Sequence, residues 1–176
     1  MNYQKIDKFS IADGCGIRVV LWVSGCTLRC KGCQNPESWD FNSGMPFNYE
    51  AKEYLLELLD RPYIKGLTIS GGHAVEQENG NNSIVLKLVK EIKERLPDKD
   101  IWLYTGLILS IDDFRKPFGD LTAKNELFKL CDVIVDGEYI EDQRDITLPF
   151  RGSRNQRIID VKKTIEQDKI IELNFE

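Results

Sequence analysis

Short apolar runs of β character alternate with segments of helical period through most of this chain, and no other feature restricts its fold as strongly. Residues 17–24 read as a first strand. The spacing of Ala51, Leu55, Leu58 and Leu59 predicts a helix over 49–60, with Asn48 able to cap it and Pro62 just past its end. A second short strand is expected over 66–70. A second helix over 83–96 sets Val85, Leu88, Ile92 and Leu96 on one stripe and stops at Pro97. Residues 101–104 read as a strand, 122–130 as a helix and 132–135 as a strand, so the unit recurs about four times. This is the pattern of an α/β domain with a largely parallel sheet. Beyond Gly137 the chain turns polar, and the runs 158–165 and 170–175 suggest a terminal β-hairpin. Composition and pattern break nowhere sharply, so residues 1–176 are expected to form a single domain.

At 41% hydrophobic and 30% charged, the chain has the balance of a globular protein. Its net charge of −5, with Lys and Arg spread along it, argues against a nucleic-acid partner. No apolar stretch approaches membrane-spanning length and the first residues do not begin a secretory signal, so a cytoplasmic protein is expected. The five cysteines are an odd count, and nothing marks an oxidising compartment in which they would pair.

Three of those cysteines stand directly behind the first expected strand, as Cys26-Thr27-Leu28-Arg29-Cys30-Lys31-Gly32-Cys33. Thiolates this close in sequence can converge from one loop onto one centre, and soft sulfur selects iron-sulfur clusters, zinc or copper(I). A closed structural site usually takes four protein ligands. A trio therefore leaves a position for substrate, cofactor or water, unless Cys15 or His73 completes a structural zinc site.

The C-x3-C-x2-C loop after a first strand resembles that of the radical S-adenosylmethionine (SAM) enzymes. In those, three thiolates hold a 4Fe-4S cluster and SAM chelates the fourth iron. The neighbouring segments Asp13-Gly14-Cys15-Gly16-Ile17-Arg18, Asn35-Pro36-Glu37-Ser38-Trp39 and Arg151-Gly152-Ser153-Arg154-Asn155-Gln156-Arg157 narrow the likeness. Together they resemble the activating proteins of anaerobic ribonucleoside-triphosphate reductase, from about residue 10 to about residue 162. The resemblance implies an open, partial β/α barrel of about four βα units plus C-terminal strands, and a glycyl-radical activase. It implies that an external donor supplies one electron, that SAM is cleaved to methionine and a 5′-deoxyadenosyl radical, and that the radical takes a hydrogen from a glycine of the reductase large subunit. Rival readings are another radical SAM enzyme, such as a pyruvate formate-lyase activase or a 7-carboxy-7-deazaguanine synthase, and a non-enzymatic zinc or iron-sulfur module.

Under this resemblance Cys26, Cys30 and Cys33 are the cluster ligands and the catalytic centre. Gly71-Gly72 matches the Gly-Gly-acid motif that binds the methionyl amino group, with His73 in place of the acid. Thr27, His73, Tyr104, Thr105 and Asp136 complete the expected cofactor-binding set, the last three lying at strand ends where the adenosine of SAM would sit. The two glycines are expected to let ligand approach the backbone, since no Cβ intervenes. Ordinary turn chemistry explains the same glycines, hydroxyls and carboxylate. Cys15 is expected outside the cluster, Cys131 in the core, the loop 72–82 polar, and the Arg-rich segment 151–157 a solvated loop or a docking element for the reductase.

Overall fold

The computed structural model describes residues 1–77, 83–115 and 122–175. Its centre is four parallel strands: β2 (Arg18–Val23), β4 (Gly66–Gly71), β5 (Asp100–Tyr104) and β6 (Val133–Asp136). Antiparallel strands flank them. β1 (Asn2–Ser10) pairs with β2, β3 (Met45–Pro46) pairs with β1, and β7 (Arg157–Asp160) pairs with β6. The sheet is therefore open and mixed, in the order β3-β1-β2-β4-β5-β6-β7.

The helices arise where capping and period agree. Asn48 accepts the Ala51 amide at the start of α1 (Tyr49–Leu59), and Ser83 accepts the Leu86 amide at the start of α2 (Ile84–Arg95). α3 (Asp112–Arg115) is a single turn, and Thr122 caps α4 (Ala123–Leu130). One sheet face is aliphatic. Leu21, Ile69, Leu103, Ile134 and Ile159 stand side by side across five strands in the pairing register. They pack with Leu55 and Leu59 of α1, Val89 and Ile92 of α2, and Leu127 and Phe128 of α4.

The opposite face is chemically different. There Trp102, Val133, Val135 and Ile158 meet Tyr104, Phe150 and Phe175 in a smaller cluster. Arg18 is fully buried on this side, above the Trp102 ring, 2.6 Å from Asp100 and donating to Thr68 Oγ1 and Leu67 O. Burial pulls the Arg18 guanidinium below its ordinary pKa and Asp100 above its own, each opposed by the other's charge.

Four expectations need correction. The strand at 18–23 is the second, because β1 precedes it. Irregular register at Tyr3/Lys5 and Asp7/Ser10 breaks β1's alternation, so Tyr3 and Ile6, three apart, both pack on the core. The terminal hairpin is interrupted. β7 ends at Asp160, whose carboxylate caps α5 (Val161–Gln167) by accepting the Lys163 amide, and only then does 171–173 return beside β7. Of the about four expected βα units, the one begun by β6 has no α-helix: at Gly137, with φ of 94°, the chain turns into a loop that holds only a 3-10 turn at Glu141–Gln143 before β7. Finally, the expected polar loop 72–82 begins as a 3-10 turn at Ala74–Glu76 with His73, Ala74 and Gln77 buried, while 78–82 lie outside the described residues.

Candidate functional site

The carboxyl ends of β2, β4, β5 and β6 open on one cavity of about 430 Å³. This is where parallel strands leave loops free to hold ligand. β2 delivers Cys26, Cys30 and Cys33 to its wall; β4 delivers Gly71, Gly72 and His73; β5 delivers Tyr104 and Thr105. Two expected residues are not among those lining it. Thr27 turns its amide and hydroxyl to Glu76, at 2.9 and 2.5 Å. Asp136, 1% exposed, accepts from the Leu109 amide and from Arg157, and serves as a strut beneath the loop.

The thiols are half-buried. Burial pushes Cys26 and Cys30 up from the ordinary thiol value, while backbone N–H groups of Leu28 and Arg29 at Cys26, and of Tyr139 at Cys30, work the other way. The Asn35 amide stands 3.4 Å from Cys33 Sγ. Each sulfur thus has an amide donor suited to a thiolate. Among the described residues no group of three or more His, Cys, Asp or Glu side chains is gathered to hold a single ion. The three thiols instead share one cavity wall, and a 4Fe-4S cluster bonds them at three separate irons. The donor set fits a cluster. Cys15 is exposed and Cys131 is buried, its Sγ 3.3 Å from Leu127 O; neither lines the cavity.

The glycines have a reason within the protein. A Cβ on Gly72 would stand 2.6 Å from Gly25 O and 3.0 Å from Val23 O. What approaches closely there is the backbone of the cysteine loop, held by bonds from Gly72 N to Val23 O and from His73 N to Gly25 O. His73 is 3% exposed. Its Nε2 lies 2.8 Å from Thr105 Oγ1, and its Nδ1 lies 3.3 Å from Glu76 Oε1, within ion-pair range but off hydrogen-bond alignment. Burial holds the imidazole below its ordinary pKa against the pull of Glu76, so it is neutral near pH 7. Tyr104 donates its hydroxyl to Phe150 O, and burial raises its phenol far above the usual range.

The 4Fe-4S single cluster domain family matches residues 12–159. Among curated relatives, the anaerobic ribonucleoside-triphosphate reductase-activating protein of Vibrio cholerae is 39% identical over 161 residues, covering 90% of this chain and 97% of the relative. Its namesake in Escherichia coli K12 is 36% identical over 158 residues, covering 89% and 96%; that of Enterobacteria phage T4 is 37% identical over 158 residues, covering 90% and 93%. The chain belongs to this family. As a family member it places the cysteine loop, the glycine turn and the Arg-rich segment around one cavity, although they are far apart in sequence.

Sequence reasoning missed the residues that assemble this wall. Gln156 Oε1 accepts from the amides of Gly152 and Ser153, and its Nε2 donates to Gly137 O. Arg151 donates to Gln156 O. The segment 151–157 is therefore a self-closed wall rather than a solvated loop; its motif was visible, but not the fold of the motif on itself. Gln77, which donates to Gly25 O and His73 O, and Glu76 carried no local signal beyond following the two glycines. No helix among the described residues is long and apolar enough to cross a membrane.

Proposed function

We propose that this chain is a single-domain, cytoplasmic radical SAM enzyme that activates anaerobic ribonucleoside-triphosphate reductase by forming a glycyl radical on its large subunit. The observation that carries the reading is the gathering of Cys26, Cys30 and Cys33 with Gly71, Gly72, His73, Tyr104 and Thr105 on one cavity. Family membership and the match to a 4Fe-4S domain support the cofactor and the target. When bound, the cluster supplies the single electron, taken from an external donor, that cleaves SAM to methionine and the 5′-deoxyadenosyl radical that removes the glycine hydrogen.

The residues of the chain bind and orient. Cys26, Cys30 and Cys33 would hold the 4Fe-4S cluster through their thiolates, which leaves a site on it for SAM. Gly71 and Gly72 present backbone beside the cysteine loop, and Tyr104 and Thr105 form the neighbouring edge. Thr27 and Asp136 act from behind the wall, as loop anchor and strut. The open sheet of a partial β/α barrel suits the target, because a glycine inside a large folded protein must be brought within contact distance of the abstracting carbon.

The deciding experiment mixes anaerobically reconstituted protein, SAM, reductant and reductase and reads a glycyl radical by electron paramagnetic resonance. SAM cleavage without a radical on the reductase would reassign the substrate. No SAM cleavage by cluster-loaded protein would end the radical reading.

A further inference from the structure

The first cysteine is held differently from the other two. Gly25, before it, gives its amide to Ser38 O at 2.6 Å, and its carbonyl receives the His73 amide and the Gln77 side chain. Cys26 gives its own amide to Trp39 O. Thr27, after it, is gripped by one carboxylate: Glu76 Oε2 accepts the backbone N–H and Glu76 Oε1 the hydroxyl. Two donors from one residue on two oxygens of one carboxylate fix both the backbone and the side-chain rotation of Thr27. Against the burial that would raise it, these two bonds and His73 hold the Glu76 carboxyl below its usual value.

Glu76 is also seated. It ends the 3-10 turn that His73 begins, and His73 Nε2 meets Thr105 Oγ1, which already accepts the Leu107 amide. The other ring nitrogen, Nδ1, lies 3.3 Å from Glu76 Oε1, beside the carboxylate but off hydrogen-bond alignment. A chain of polar groups thus runs from Thr27 through Glu76 and His73 to Thr105, linking the ends of β2, β4 and β5.

We propose that Glu76 is a positioning residue whose carboxylate clamps Thr27 and so fixes Cys26 as the rigid corner of the metal-binding loop relative to the ends of β4 and β5. The clamp works by geometry rather than by charge. A glutamine at 76 can accept the Thr27 amide with its oxygen and donate to the Thr27 hydroxyl with its nitrogen, preserving both bonds without the negative charge.

The clamp rests on the proposed function only for its activity readout, so the test has a second one. Wild type, Glu76→Gln, Glu76→Ala and Thr27→Val are reconstituted anaerobically and matched for iron content. Hydrogen exchange at the Thr27 amide, electron paramagnetic resonance of the reduced cluster, and SAM-cleavage kcat and KM are then measured. Glu76→Ala should exchange the Thr27 amide at least tenfold faster, broaden the reduced-cluster signal and lower kcat at least tenfold. Glu76→Gln should stay within about threefold of wild type on each, and Thr27→Val, which keeps the amide bond, should fall between. Unchanged Thr27 exchange in Glu76→Ala, or a Glu76→Gln variant as impaired as Glu76→Ala, would overturn the clamp. If wild-type protein cleaves no SAM, the functional reading fails, while exchange and line shape still decide the clamp. Should Glu76→Ala fail to fold, the Glu76→Gln and Thr27→Val comparison decides it in the same way.

Discussion

The two faces of the central sheet are built by alternate residues of the same strands, yet they share almost no chemistry. On the helix-covered face Leu21, Ile69, Leu103 and Ile134 pack against α1, α2 and α4 with no polar side chain among them. On the other face the same strands carry Arg18, Thr68, Ser70, Trp102 and Tyr104, of which Ser70 and Tyr104 line the cavity. The covered face supplies most of the apolar burial that stabilises the fold. The open face gives its positions to polar groups that must each find a partner, as Arg18 does in Asp100 and Thr68. Stability and chemistry are thus divided by the pleat of a strand, one residue apart.

That division can be broken in four ways, beginning with the largest effect. Phe128→Ala, which empties a fully buried site beneath α4, should cost about 3–5 kcal/mol in denaturant unfolding. The folded fraction should still bind a full complement of iron. Loss of iron from folded Phe128→Ala protein would show that the faces are not separable. Arg18→Leu tests whether the open face carries stability too: removing the guanidinium leaves the Asp100 carboxylate without its cation and takes a donor from Leu67 O, for about 3 kcal/mol by the same measurement. A near-neutral Arg18→Leu would mean that apolar packing suffices on this face as well.

A third, smaller effect is a pH slope. His73 is the only histidine of the chain, and burial depresses its folded pKa below the ordinary value of about 6.5 despite Glu76. Below that value the unfolded chain takes up a proton that the folded chain refuses. Stability is therefore fully present above about pH 6.5 and is lost as pH falls toward the depressed folded value, with a slope of at most about 1.4 kcal/mol for each pH unit. His73→Gln should flatten this part of the profile, and an unchanged slope would place its origin elsewhere. The smallest effect is expected of Cys15→Ser. At an exposed position away from the cavity, it should alter stability by less than about 0.5 kcal/mol and leave iron content at the wild-type level.

What the sequence disclosed and what it hid follow from range. α1 and α2 were legible because the Asn48 cap of one, and the apolar stripe and Pro97 stop of the other, act within a few residues of the helix they mark. The parallel strands were legible as apolar runs with turn residues behind them. β1 was not, because its bulges destroy the alternation by which an edge strand is recognised. The first run of the expected terminal hairpin, 158–165, carried β-branched residues, but Asp160 supplies a cap that turns Val161-Lys162-Lys163-Thr164 into helix. In the site, the thiols and glycines were visible as local motifs. Glu76 meets Thr27 across 49 residues, and Gln156 meets Gly137 across 19, so neither partnership left a mark on the segments themselves.

The two margins of the sheet govern how this molecule behaves in a crowd. At one, β3 is two residues long and ends in Pro46, which has no N–H to offer another strand. At the other, the outer side of β7 is already occupied by 171–173, with Asp160 donating to Ile171 O and Leu173 donating to Ile158 O. The β7 margin is therefore covered along its centre, whereas β3 covers only Asn2 and Tyr3 of the nine-residue β1. At β7 the simplest route to joining sheet to sheet is thus lacking, and shortening the chain before Ile171 should make the protein prone to fibre-like association by baring β7.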